Sequence, residues 1–415
     1  MMGYWKKVLG PGVLFAATAI GVSHLVQSTS AGANFGLSLL IFVALANVLK
    51  FPFFEYGSRY ASATNTSIIE GYFKLSKWWL YTYLIITFCS MFFVTAAVGV
   101  VTIGFMENLF GLNEITGINN FTHYFLFSIG LVLLLWGQFN ALENVVKILG
   151  IILLITTIIS FFFAIKKGPA TTATLFPEMN PESWAFLLPL MGWMPTAIDL
   201  SAWNSLWTVE KIKESGYRPS VRQTVREFNF GYWISALLAF LFLFMGAFLV
   251  YGTGMKVPTK GAEFSSFVID LYTESIGKWA SLIISIAAFS IMLSTFITIL
   301  DGYSRAIKVS FELALPRVKK NKIFEIAVLL VLAVGGLAII LIFENNPDGF
   351  RLLVNTATTI SFIVAPVIAI LNFRLVMPDK IGQENAPNRW MKVMSYLGII
   401  YLFVFLIWFV IYTLF

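Results

Sequence analysis

Residues 10–36 read GPGVLFAATAIGVSHLVQSTSAGANFG, and the middle of this stretch decides the fold. It is apolar and long enough to cross a bilayer, which takes about 20 residues as a helix. Ile20-Gly21-Val22-Ser23-His24 interrupts it. Gly21 weakens a helix interior because its backbone entropy is costly to freeze. Ser23 offers a hydroxyl that competes for backbone hydrogen bonds. A spanning segment that loses its helix at mid-depth must line a cavity or bury its freed backbone in protein. The interruption is therefore a first candidate binding site, and it holds no carboxylate.

The rest of the chain has the composition of a membrane protein. Of 415 residues 58% are hydrophobic and only 12% charged, with mean hydropathy +0.83. Soluble domains carry about 25% charged residues. Eleven apolar spans are expected, at 12–30, 37–54, 78–109, 121–137, 147–165, 183–207, 228–252, 279–300, 322–343, 350–376 and 390–415. Short loops with turn chemistry join them, such as Asn346-Pro347-Asp348-Gly349. The expectation is an all-α polytopic protein made of one transmembrane domain, with no cleavable signal peptide ahead of the first span. The single Cys89 excludes an internal disulfide and a multi-cysteine metal site.

The net charge of +7 reads as topology. Sorted by side, 21 basic residues fall with the N-terminus, among them Lys6, Lys7, Lys147, Lys319 and Lys320, and 6 fall opposite. The positive-inside rule then places the N-terminus in the cytoplasm and the C-terminus outside a cell (inner) membrane. The expected partners are the lipid bilayer and a small inorganic ion, with no nucleic acid. Trp5, Trp78, Trp79, Trp390 and Trp408 suit the interface belts or lipid contacts.

Span 6 is broken in the same way. It contains Pro189, Gly192 and Met194-Pro195-Thr196-Ala197-Ile198-Asp199. Pro195 removes a backbone donor and clashes with the preceding turn. Spans 1 and 6 each open a five-span half, and interrupted helices at matching positions point to a transporter site between inverted repeats. A plain proline kink is the bland alternative. The repeats would cover about 10–165 and 183–376, with an extra helix at 390–415.

Several motifs in order, Gly10-Pro11-Gly12 with Ala31-Gly32-Ala33-Asn34-Phe35-Gly36, Leu49-Lys50-Phe51-Pro52-Phe53 with Arg59-Tyr60-Ala61, Leu142-Glu143-Asn144-Val145-Val146-Lys147, and Met194-Pro195, carry a resemblance. Over roughly residues 10–375 the chain resembles the Nramp family of divalent-metal transporters. The resemblance implies a LeuT-like fold with a 5+5 inverted repeat, and a substrate site at breaks 1 and 6. The departures lie at the chemistry. The family's Asp-Pro-Gly-Asn at break 1 corresponds to Gly21, Val22, Ser23 and His24. Its Met-Pro-His in span 6 corresponds to Met194, Pro195 and Thr196. Its two proton-carrying acids in span 3 correspond to Ala96 and Gly99. The chain therefore resembles a divergent branch of the family without the usual metal and proton acids.

The substrate set is expected to be Gly21, Val22, Ser23, His24, Met194, Pro195 and Thr196. Hard divalent cations prefer carboxylate oxygen, which this set lacks, and His24 with Met194 is a thin site even for copper(I). Half-helix N-termini with hydroxyls, and a protonated His24, suit a small anion such as bicarbonate. His24 could equally be a neutral histidine bonded to a neighbouring helix. Uptake of an anion against a negative potential needs a coupling cation. The resemblance places sodium between spans 1 and 8, at Ala19, Ser290, Ser294, Thr295 and Thr298. Those hydroxyls could also be plain packing residues. No cofactor beyond a bound Na+ and no transition metal is expected. Asp199, Thr358 and Ser361 are candidates for the pathway or gate. Lys50, Glu55 and Arg59, at the cytoplasmic end of span 2, and Asp301 with Arg305 read as an ion-pair network or an inner gate, with interfacial anchoring the bland alternative. An ordinary divalent-metal transporter and a non-transporting receptor or scaffold remain the alternatives. An enzyme is not expected, with two histidines and no hydrolytic motif.

Overall fold

The computed structural model describes residues 11–136, 139–315, 317 and 321–414. Trp5, Lys6, Lys7, Gly10, Lys319 and Lys320 lie outside the described residues, as do the side chains of Pro11 and of residues 142–147.

Chain order is helical throughout. Helix α1 (Pro11–Ala19) stops at Ile20-Gly21, and the chain resumes as a π-helical turn (Ser23–Ser28) running into α2 (Thr29–Phe35). Then come α3 (Leu40–Thr64), α4 (Ile68–Leu75), α5 (Lys77–Phe110), α6 (Leu112–Thr116), α7 (Phe121–Leu135) and α8 (Phe139–Lys167). The second half has α9 (Pro181–Gly192), α10 (Leu200–Ser215), α11 (Val221–Leu249), α12 (Gly261–Ile276), α13 (Ser281–Ala314), α14 (Lys322–Phe343) and α15 (Gly349–Leu375). The short α16 (Pro378–Ile381) leads to α17 (Arg389–Leu414).

Among the described residues eight helices are long and apolar enough to cross a membrane, and the shorter α7 is apolar too. The expected eleven spans require α7 and the two interrupted pairs to count. Several ends differ from expectation. Span 2 runs to Thr64 rather than 54, and span 8 to Ala314 rather than 300, because polar helical turns continue beyond the apolar run. The amphipathic α4 and α12 are additions, since neither is apolar enough to read as a span.

Local chemistry sets the ends. Asn180 accepts from Ser183 N–H in a capping box with Pro181 at the first helical position, which starts α9. Ser220 and Gln223 do the same for α11. The left-handed Asn65 ends α3.

The two halves exchange equivalent contacts. The π-turn and α2 lie along α11, as α10 lies along α3. Helix α5 packs on α15, as α13 packs on α8, while α5 with α13 and α3 with α11 form the self-paired contacts. Missing side chains permit the closest approaches. A Cβ on Gly32 would collide with the Leu243 carbonyl oxygen of α11, and one on Gly57 of α3 with that of Ser201 of α10. Helices α5 and α13 form the buried centre. Helices α8, α14 and α17 stand at the periphery, where Ile151, Val334 and Ile407 are exposed, as lipid contact requires.

Candidate functional site

The two breaks face each other. Ser28 Oγ, on the π-turn after break 1, lies 3.9 Å from Met194 Sδ in break 6. Gln27 Nε2 donates to Asn355 Oδ1 of α15 at 3.3 Å. Between the breaks is a small cavity lined by Thr18, Ala19, Val22 and Ser23 of span 1 and Trp193, Thr196, Ala197 and Leu200 of span 6. Val94 and Val98 of α5, with Thr295 and Ile299 of α13, close it. Its polar side chains are hydroxyls and one indole. Among the described residues no carboxylate lines it.

Break 1 is narrower than the sequence suggested, and its polar side chains are largely tied up. Only Ile20 and Gly21 leave the helix. Ser23 Oγ donates to Ala19 O at 2.9 Å and lies 2.7 Å from His24 Nδ1. His24 turns away from the cavity: its Nε2 donates to the Ser235 carbonyl oxygen of α11 at 2.8 Å. It is fully buried there. This is the histidine bonded to a neighbouring helix, with Nε2 on the Ser235 carbonyl and Nδ1 on the Ser23 hydroxyl. Gly21 backs onto α13, where a Cβ would come within 3.0 Å of Thr295 Cγ2.

Break 6 is wider and charged. Residues Trp193–Asp199 separate α9 from α10, and the Met194–Pro195 peptide is cis. Helix α9 ends with carbonyls that α10 cannot satisfy. Lys50 of α3 reaches them. Its Nζ donates to Met191 O and Gly192 O, both at 3.0 Å, and to Thr196 O at 3.4 Å. It also sits 5.9 Å from the centre of the Phe54 ring. Lys50 is wholly buried, and the expectation of a lysine at the cytoplasmic end of span 2 is corrected accordingly. A cation at a helix C-terminus is favoured by the carbonyl dipoles, and this ammonium has three of them. Pathway candidates on α15 also meet this break. Trp193 Nε1 donates to Ser361 Oγ at 2.8 Å, and Gly192 rests on the Thr358 carbonyl.

Asp199 is the N-cap residue of α10, yet its side chain makes no cap hydrogen bond. Oδ2 accepts from Tyr303 OH of α13 at 3.1 Å and from Ser90 Oγ of α5 at 3.2 Å.

Of the expected substrate residues, Val22, Ser23 and Thr196 line the cavity. Gly21, Met194 and Pro195 adjoin it, and His24 does not face it. Of the expected sodium set, Ala19 and Thr295 line it, and Thr295 Oγ1 lies 3.1 Å from Ala17 O, joining α13 to α1. Thr298 donates to Ser294 O within α13, and Ser290 is only half-buried. Ala96 and Gly99 pack in apolar surroundings; a Cβ on Gly99 would meet Ile340 and Phe127. Glu55 pairs with Arg59 at 2.5 Å, and Asp301 with Arg305 at 2.7 Å, so both expected ion pairs form, without Lys50. Ser90 and Tyr303 were not read as site residues, and Lys50 was read only as part of an ion-pair network or inner gate. Lys50 had a signal, as the one basic residue inside the apolar run of α3, and an intramembrane charge is functional by default. Ser90 and Tyr303 had none.

Comparison with known proteins places this geometry. The family described as natural resistance-associated macrophage protein-like, Nramp, matches residues 12–412. An uncharacterized protein of Pasteurella multocida is 32% identical over 408 residues, covering 97% of this chain and 91% of that protein. Among solved structures, a mutant manganese transporter of Eremococcus coleocola superposes with a TM-score of 0.74 at 16% identity, covering 97% of this chain and 86% of that one. MhsT in complex with L-phenylalanine gives 0.63 at 14% identity, covering 95% and 98%. At such identities the structures share the fold.

Proposed function

The chain belongs to the Nramp family of membrane transporters, and from that premise we propose that it carries a small inorganic anion, with bicarbonate the first substrate to test, by sodium-coupled uptake. The observation that carries this reading is the Lys50 ammonium held on three carbonyl oxygens of break 6. Those carbonyls face a tethered cation, so they are not free to receive a metal ion. The ammonium also adds positive potential beside a cavity lined by hydroxyls. A divalent ion there would meet like charge from Lys50, with the Asp199 carboxylate a helical turn away rather than in the lining. A small anion meets the opposite field, with the Thr196 hydroxyl as a donor. The free space, about 20 Å³, is little more than a single water needs, so either ion requires the cavity to widen.

A second reading has support of its own: a divalent metal, as the name of the manganese transporter with this fold suggests. In this chain it would rest on hydroxyl, thioether and backbone ligands, since among the described residues no three His, Cys, Asp or Glu side chains cluster. Flux into proteoliposomes separates the two. Labelled bicarbonate uptake that is saturable and abolished by replacing sodium with choline supports the anion. Manganese uptake that persists in excess bicarbonate overturns it.

A further inference from the structure

We propose that the coupling cation binds at Asp199, against Ser90 and Tyr303, rather than among the α13 hydroxyls. Asp199 is 2% exposed, and among the described residues no Lys or Arg pairs with it. Its Oδ1 has no partner, and neither has the nearby buried Tyr83 OH. The usual explanation for an aspartate at a helix start is a cap on its own N–H groups, and that bond is not made. The side chain turns instead to two other helices. Asp199 Oδ2, Ser90 Oγ and Tyr303 OH form a triangle with sides of 3.1, 3.2 and 3.2 Å. An octahedral ion with oxygen ligands at about 2.4 Å has neighbouring ligands about 3.4 Å apart. The triangle is close to one face of such a shell, and the unpaired Oδ1 adds the negative charge a sodium ion needs.

The position relative to the cavity is regular. Ser90 lies four residues before Val94 on α5, Tyr303 four after Ile299 on α13, and Asp199 directly precedes Leu200, all three partners being cavity residues. The cluster is thus one helical turn from the cavity, on the side of the α5 N-terminus and the α13 C-terminus. The ionisable groups that feel the Asp199 charge are phenols, Tyr72 of α4, Tyr83 of α5 and Tyr303, which are neutral at ordinary pH. With Asp199 bare, its charge opposes that of Lys50 across break 6. A cation there cancels it and leaves the break positive for an anion, so each ion raises the affinity of the other. The ligand is a monovalent cation. Sodium is the better match to bicarbonate, because a co-transported proton would recombine with it to carbon dioxide and water.

The coupling role rests on the anion reading; the binding site does not. The test measures radiolabelled sodium binding to purified protein and labelled bicarbonate uptake into proteoliposomes. Asp199→Asn is expected to weaken sodium binding at least tenfold and to make uptake indifferent to a sodium gradient. Ser90→Ala, which keeps the carboxylate, is expected to raise half-saturating sodium several-fold. If the native protein binds no sodium, potential-driven proton influx is read with a trapped pH dye, and its loss in Asp199→Asn assigns the site to a proton. The proposal falls if Asp199→Asn leaves both measures at the native level, or if the native protein binds and moves neither ion. It also falls if Ser294→Ala with Thr298→Val abolishes sodium binding and Asp199→Asn does not. Sodium binding lost in Asp199→Asn without any bicarbonate uptake by the native protein overturns the anion reading alone.

Discussion

Breaks 1 and 6 occupy equivalent places in the two halves, and they are built differently. Break 1 frees two residues, and its polar side chains are bonded within span 1 or to α11: Ser23 to Ala19, His24 to Ser235. Break 6 frees seven residues and brings a buried cation and a buried carboxylate to its two ends, Lys50 at the close of α9 and Asp199 at the start of α10. One break is a wall of the cavity, and the other supplies its field. A helix interruption therefore marks where a site can form, while the charges near it decide what the site holds. In this chain those charges come from other helices, or from a residue that looks like an ordinary cap.

The largest effect separating the two breaks is expected at Lys50. Lys50→Met keeps the length of the side chain and removes the ammonium. Two stability terms then oppose each other. The cost of a buried charge disappears, while Gly192 O and Thr196 O lose a donor at about 1–3 kcal/mol each and Met191 O keeps the Met194 N–H. Because the sum is small compared with either term, transport is the better readout. Bicarbonate uptake per folded molecule is expected to fall at least about hundredfold, or roughly 2.7 kcal/mol. A variant that gained manganese uptake would show the ammonium to be what excludes divalent ions. Uptake unchanged by Lys50→Met would remove the contrast between the breaks altogether.

A smaller effect is expected at Thr196, the hydroxyl of break 6 that lines the cavity. Thr196→Val preserves shape and removes one donor. About 1–1.5 kcal/mol is the usual worth of such a bond, so KM should rise about tenfold with melting temperature unchanged. A fall in kcat at constant KM would instead place Thr196 in the conformational step.

The fold was legible because it depends on coarse features. Apolar runs, Gly-Pro turns and two in-register breaks are properties of sequence alone, and they locate α1–α2 and α9–α10 correctly. The site was legible only in part. Ser23 and Thr196 are on the breaks themselves, and both line the cavity. Lys50 was placed with Glu55 and Arg59 at the cytoplasmic end of span 2, and nothing in the order of residues shows that α3 crosses the end of α9. Ser90 and Tyr303 meet Asp199 through the packing of α5 and α13, 213 residues apart in the chain. Such a triangle is a tertiary event with no local signature. His24 misled in the opposite direction. It stands at the break in sequence, but the π-turn rotates it onto α11.

That rotation yields the smallest effect on transport and the sharpest check on break 1. His24 Nε2 is bonded to the Ser235 carbonyl, and Ser235 Oγ lies 3.2 Å from the same nitrogen. His24→Leu removes the ring's bond to that carbonyl, which keeps its own place in the α11 ladder, and should lower stability by about 0.5–1.5 kcal/mol. His24→Gln retains an N–H donor at similar reach and should recover much of the loss. In neither variant should bicarbonate uptake, normalised to folded protein, change more than about threefold, because the ring does not line the cavity. Thermal melting and uptake together check this. If His24→Gln melts like the native protein and yet loses uptake, His24 acts in transport, and break 1 is more than a wall.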